Sequence, residues 1–267
     1  MSNVAIVTGG TRGIGLGIAE CLARDGYDLV LGYNSNAQRA QQTKASIEEK
    51  HGVRVQVVAG DIAEPATINM LFGTARELVK TASADKLHVV YIHNAGLTAL
   101  TAARLLGLPY GEPWDAHLYE YFQKVYCHSF RRAINLGKAT PGFSRVVAVS
   151  SVGCNACQNP TGLYYEAPGH AKASLEYLVR VFAKLLAKDG ITVNTIIPGP
   201  IETEAWDDLV KATGMDLEKF IASTPAQRWA SPTEVGEVVA FLCSPRAAFI
   251  NGVALPIDGG LHLGPVQ

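Results

Sequence analysis

The sequence predicts one α/β domain built on a doubly wound parallel sheet, and two observations carry that expectation. Short apolar runs alternate with longer helical patterns along all 267 residues. The glycine-rich run TGGTRGIG, residues 8–15, follows the first apolar run and opens a helical pattern. A parallel α/β fold keeps its phosphate-binding turn in that position.

The strand candidates are 4–7, 28–31, 53–58, 89–93, 146–150, 192–197 and 253–257. Segments such as VAIV and RVVAVS are apolar throughout rather than alternating, as strands covered on both faces require. Helical patterns fall at 14–25, 36–50, 65–80, 114–136, 169–188 and 232–243. Neither a repeat nor a linker interrupts them, so 1–267 is expected to form a single Rossmann-type domain. Irregular stretches bearing Pro and Gly lie at 97–113, 152–169 and 198–231. They follow the fourth, fifth and sixth strands, whose carboxyl ends line the binding crevice of such a sheet. The stretch 198–231 is the expected substrate lid.

Composition narrows the function classes. Hydrophobic residues make up 48% of the chain and the net charge is -1, with Lys and Arg spread evenly. A nucleic-acid or anionic-membrane surface is therefore not expected. Apolar runs all fall short of the roughly 20 residues that span a bilayer. Val4-Ala5-Ile6-Val7 starts a strand almost at once, leaving no room for a signal peptide, and a cytoplasmic protein is the expectation. The five cysteines, Cys21, Cys127, Cys154, Cys157 and Cys243, are scattered. Cys154 and Cys157 form a C-x-x-C without the second ligand pair that structural zinc needs, so no metal is expected.

The glycine run is spaced Gly9-x-x-x-Gly13-x-Gly15, with Thr11, Arg12 and Ile14 inside it. Asp61-Ile62 follows the third strand and Asn94-Ala95-Gly96 the fourth. Ser150-Ser151 ends the fifth, Pro198-Gly199-Pro200-Ile201-Glu202-Thr203 follows the sixth, and GVALPIDGG closes the set. In this order the motifs resemble the short-chain dehydrogenase/reductases over nearly the whole chain. The resemblance implies that Asp61 and Ile62 contact adenine, that Asn94, Ala95 and Gly96 support the sheet beside the cofactor, and that Pro198, Gly199, Ile201 and Thr203 hold the nicotinamide carboxamide. It also implies a homotetramer built through the long helices and the last strand. The second strand ends in Gly32-Tyr33-Asn34-Ser35-Asn36, without the carboxylate that would bind a ribose 2′-hydroxyl. With Asn34 and Ser35 at that end, Arg12 in the loop and Arg39 nearby, NADP(H) is the expected cofactor.

The catalytic set departs from the family. The resemblance implies Ser151 and Lys172 as catalytic residues, with Lys172 also on the nicotinamide ribose. The proton-donating tyrosine belongs four residues before Lys172, where Pro168 stands. The family's asparagine should fall near Lys124, Val125 or Tyr126, and none of these is Asn. Pro168 is expected to start the helix, leaving Tyr164 and Tyr165 in the preceding loop as substitute donors or packing residues. Hydride transfer to a ketone leaves an alkoxide that needs a proton or strong stabilisation. Transfer to an iminium ion leaves a neutral amine and needs no acid. Glu166, expected in the loop near the nicotinamide, could pair with a cationic substrate or remain a solvated acid. Arg131, seven residues after Lys124, is expected on the helix face turned toward the site, where it could hold a substrate carbonyl; a surface role is the alternative.

This combination is similar to a fungal branch of the family, the bifunctional reductase/Diels–Alderases of bicyclo[2.2.2]diazaoctane indole alkaloid pathways such as those of malbrancheamide and paraherquamide. The resemblance implies NADPH-dependent reduction of a prenylated, tryptophan-derived cyclic iminium, then intramolecular [4+2] cycloaddition in the same pocket. Trp206, Leu209, Phe220 and Trp229 could close an apolar lid over an indole or simply pack with one another. A conventional carbonyl reductase with a substitute donor, and an inactive protein that senses NADP(H), are the alternatives.

Overall fold

A computed structural model describes residues 2–80, 87–96, 116–152, 154 and 166–264. The stretches 97–113 and most of 152–169, with Tyr164, Tyr165 and Cys157, lie outside the described residues.

Seven parallel strands form one sheet: β1 Ser2–Val7, β2 Tyr27–Tyr33, β3 Val55–Ala59, β4 Leu87–His93, β5 Phe143–Val149, β6 Thr192–Pro198 and β7 Ala254–Ile257. Their order is β3-β2-β1-β4-β5-β6-β7, so the winding reverses between β1 and β4. A ligand crevice opens at such a reversal, outside the carboxyl ends of the strands. The third strand starts at Val55 rather than at 53 because Gly52 ends the preceding helix in a left-handed conformation (φ 68) and Arg54 ties its N–H to Asp28.

On one face lie α1 Gly13–Arg24, α2 Ala37–His51 and a late helix, Pro232–Cys243. Gly17 and Gly236 let the first and last of these cross at backbone contact: a Cβ on Gly17 would stand 2.4 Å from the Pro232 carbonyl carbon. The opposite face carries α3 Pro65–Lys80, α4 Ala116–Gln123, α5 Ser129–Lys138 and α6 Glu166–Leu186. Its core holds the largest buried rings, Tyr91, Phe72, Phe122, Tyr126 and Phe130. Two short helices, α7 Ala205–Thr213 and α8 Leu217–Ala222, lie within the lid, and the late helix becomes α9. No helix among the described residues is long and apolar enough to cross a membrane.

The long helix expected at 114–136 is interrupted. Between α4 and α5, Lys124–His128 forms a π-turn, and the chain stays helical to Lys138. Such a wide turn is rare and recurs at functional sites. Two expectations about α6 need correction. The helix starts at Glu166, not at Pro168, so Glu166 is helical rather than in a loop, and Pro168 is buried as the third residue. Proline is tolerated there because a first-turn N–H has no helical partner to lose.

Candidate active site

The glycine loop is shaped by what a side chain would strike. Gly9 and Gly13 take positive φ (63 and 50), and a Cβ on Gly15 would lie 2.1 Å from the Gly9 carbonyl oxygen. Asn94 crosses beneath the loop and donates from Nδ2 to Thr8 O (2.9 Å) and Gly9 O (3.3 Å). The Thr8 hydroxyl accepts from the N–H groups of Asn94 and Ala95, both at 2.9 Å. Thr11 is buried and its carbonyl accepts from Thr43. Arg12, exposed, precedes Gly13 and Ile14 at the start of α1. A bare, glycine-lined helix N-terminus of this kind is an anion cradle.

Across the cleft, Thr203 reaches to 3.4 Å of where a Cβ of Gly13 would stand. Gly199 permits a close crossing, since its Cβ would meet Asp258 Cα at 2.6 Å, and Ile201 bridges to Ala230. Asn34 and Ser35 are exposed beyond β2. Arg39 is not the free helper expected: its guanidinium makes a two-point ion pair with Glu204 at the start of α7. Asp61 accepts from the Tyr121 hydroxyl at 3.0 Å, a partner on α4 for which the sequence offers no signal, and Ile62 packs against the core.

On the catalytic side, Ser150 is buried and donates to the Glu176 carboxylate. Ser151 is partly exposed, its hydroxyl donating among the described residues to the Val152 carbonyl at 3.3 Å, which makes it the more accessible serine of the pair. The ammonium of Lys172 donates to Ser150 O at 2.9 Å and lies 5.2 Å from the centre of the Tyr126 ring. Burial lowers the pKa of Lys172, while the negative charges of Cys154 and Glu176 oppose the fall. Beneath it, His93 is buried, with Nδ1 2.8 Å from the Tyr91 hydroxyl. Burial, and then the charge of Lys172, push His93 down to about 3, so its imidazole stays neutral.

Within and after the π-turn, Val125, Tyr126 and Cys127 are buried, whereas Lys124 and Arg131 are exposed, with Lys124 paired to Glu120 at 2.8 Å. Tyr126 is the residue of the turn that meets Lys172. No hydrogen bond or ion pair among the described residues joins Arg131 to Ser151, Lys172 or Glu166. Glu166 precedes Lys172 by six residues, about 120° around the helix at 3.6 residues per turn. It faces Tyr119, whose phenol pKa is raised by burial and then by the Glu166 charge. One carboxylate oxygen of Glu166 is buried without a hydrogen-bond partner. In the lid, Trp206, Phe220 and Trp229 pack together, with ring centres 5.2 Å (Trp206–Phe220) and 5.1 Å (Trp206–Trp229) apart. The Leu209 side chain lies outside the described residues.

These elements fit a phosphorylated dinucleotide: a glycine cradle with no room for a Cβ at Gly15, a positive loop residue, and no carboxylate at the end of β2. Comparison with known proteins agrees. The family model described as enoyl-(acyl carrier protein) reductase matches residues 9–262. Acetoacetyl-CoA reductase of Cupriavidus necator is 30% identical over 98% of each chain. 3-oxoacyl-[acyl-carrier-protein] reductase of Staphylococcus aureus is 30% identical over 98% of this chain and 99% of its own. Among solved structures, L-sorbose reductase from Gluconobacter frateurii, complexed with NADPH and L-sorbose, superimposes with a TM-score of 0.78 at 28% identity, covering 98% of this chain and 97% of that one. A blue fluorescent protein from a metagenomic library, in complex with NADPH, gives 0.79 at 28% identity over 97% of both.

Proposed function

The chain belongs to the short-chain dehydrogenase/reductase family and is an NADPH-dependent reductase of it; within that activity, we propose that its acceptor is a cyclic iminium rather than a ketone. The observation that carries this reading is Pro168, buried in the first turn of α6 and four residues before Lys172. No proton can leave that position. The bound dinucleotide supplies hydride. Gly9, Thr11, Gly13, Ile14 and Gly15 would hold its pyrophosphate, Arg12 with Asn34 and Ser35 its 2′-phosphate, and Thr203 with Lys172 its nicotinamide end. Hydride adds to the iminium carbon, the C=N⁺ π pair moves onto nitrogen as its lone pair, and the neutral amine needs no acid. A prenylated, tryptophan-derived dipeptide is the proposed acceptor. Intramolecular [4+2] closure in the same pocket would follow, promoted by holding diene and dienophile in reacting geometry.

Glu166 enters the proposal as the carboxylate facing a cationic substrate, supported by its unpartnered buried oxygen. Arg131 enters as an exposed guanidinium available to a substrate carbonyl. Exposed apolar side chains on α6, Tyr177 and Leu185, and near the last strand, Phe249, Leu255 and Leu263, support a homo-oligomer.

The test is NADPH consumption with a cyclic iminium against a panel of ketones. Turnover of the iminium alone is expected, with Glu166→Gln and Arg131→Ala slowing it while NADPH affinity holds. Brisk ketone turnover would favour the second reading, a carbonyl reductase with another proton donor. That reading is supported by the names of the acetoacetyl-CoA and L-sorbose relatives.

A further inference from the structure

Lys172 poses a physical problem wherever the reaction chemistry leads. An ammonium group drawn partly out of water, as the half-buried Lys172 is, must be repaid by close partners or its hold on the proton weakens. Among the described residues its hydrogen-bond acceptor is a backbone carbonyl, Ser150 O. The charged and titratable groups facing it come from three directions: Glu176 on its own helix, Cys154 after β5, and His93 on β4. Glu176 is engaged by the Ser150 hydroxyl, and His93 is neutral and withholds negative charge. Besides these groups, the described residues place one aromatic ring against the ammonium.

That ring is placed by the fold with unusual care. Tyr126 sits in the middle of the π-turn Lys124–His128, the one place where the helix widens. Two contacts anchor the turn on either side: Ser129 Oγ donates to Val125 O, and Cys127 Sγ donates to Ala171 O, the residue before Lys172. The Tyr126 ring stacks on Phe122, one turn earlier, with planes 3° apart and centres 5.8 Å apart. Its hydroxyl fills the space above Gly96, where a Cβ would come within 2.6 Å of the oxygen. The phenol thus meets Phe122 and, 5.2 Å from its ring centre, the ammonium. An aromatic face at this range attracts a cation through its quadrupole, most strongly where water is excluded.

We propose that Tyr126 is the positioning residue of Lys172: its ring face, presented by the π-turn, holds the half-buried ammonium in place where the family's asparagine is absent. The role requires a π-face and not a hydroxyl, which separates it from proton donation. It rests on Lys172 serving the cofactor side of the site and is independent of whether the acceptor is an iminium or a ketone.

The experiment follows the Lys172 side-chain nitrogen by NMR titration in the full-length, cofactor-free protein, so neither substrate nor turnover enters it. Tyr126→Phe keeps the face and removes the hydroxyl. Phenylalanine analogues with successively more ring fluorines, inserted at the same position, keep the shape and drain the face, so they fold as the Phe variant does. The Lys172 midpoint should stay within a few tenths of a pH unit of wild type in Tyr126→Phe, then fall with each fluorine, by about one unit in all. Two results would overturn the proposal: a midpoint that ignores the fluorine series, or a fall already complete in Tyr126→Phe. Failure of the iminium reading leaves this outcome untouched, because ketone turnover does not alter the cofactor-free titration.

Discussion

The two walls of the cleft achieve order by opposite means. The cofactor wall is defined by missing atoms: Gly9, Gly13 and Gly15 leave backbone bare, and Asn94 knits the loop to β4 with neutral hydrogen bonds. The catalytic wall is crowded with ionisable groups, buried Glu176 and His93 and half-buried Lys172, held against rings and carbonyls. A wall made of absences tolerates almost no addition but is indifferent to pH. A wall made of buried charge tolerates changes of shape better than changes of protonation. Pro168 stands on the second wall, buried in the first turn of α6.

The largest expected effect breaks the catalytic wall. Lys172→Met should cut NADPH-dependent turnover by on the order of 10²-fold or more, while the cofactor-free protein becomes more stable, because the cost of burying the ammonium disappears. Steady-state kinetics and denaturant unfolding read both, and a variant that is slower but no more stable would refute the account of the buried charge.

Next comes the cofactor wall. Gly15→Ala drives a methyl into the Gly9 carbonyl and should cost about 1–3 kcal/mol, roughly five- to 150-fold in NADPH affinity. Fluorescence titration measures it, and this loss should be the same at acid and neutral pH.

The pH profile sharpens the contrast. In the unfolded chain His93 titrates near its ordinary 6.5, and in the folded protein near 3. Between those values the unfolded state binds a proton that the folded state refuses, so stability falls as pH drops through this window. Lys172 works in the same sense at the other end: its folded pKa lies below 10.5, so stability rises as pH climbs from that lowered value toward 10.5. His93→Gln should flatten the acid limb of unfolding free energy against pH and leave the alkaline limb alone; an unchanged acid limb would mean the imidazole is not buried neutral.

The smallest effect concerns the pair that links the cofactor wall to the lid. Glu204 holds Arg39 and also feels Arg12. Glu204→Gln should free positive charge for the 2′-phosphate and tighten NADPH by no more than about fivefold, as an exposed ion pair allows. NADH affinity should not change, and equal gains for both nucleotides would break the assignment.

Legibility in the sequence also differs between the walls. Gly9, Gly13 and Gly15, Asn94 and the PGPIET segment stand in fixed order beside their strands, because each serves a turn or a crossing that local backbone geometry demands. Lys172 and Pro168 were visible for the same reason, being spaced along one helix. The π-turn at Lys124–His128 was not visible, since it leaves no mark in the hydrophobic period. Nor was the Arg39–Glu204 pair, whose members lie 165 positions apart.

By itself the sequence determined the seven-strand alternation, the glycine cradle, the absence of a carboxylate after β2 and the absence of a phenol at position 168. Each is a property of residue type and near spacing. Only the tertiary structure decided that Tyr126 lies under Lys172, that Ser150 rather than Ser151 meets Glu176, and that Arg39 is occupied. Those contacts join segments far apart in the chain, and their energies depend on burial, which exists only after the sheet and its helices have closed together.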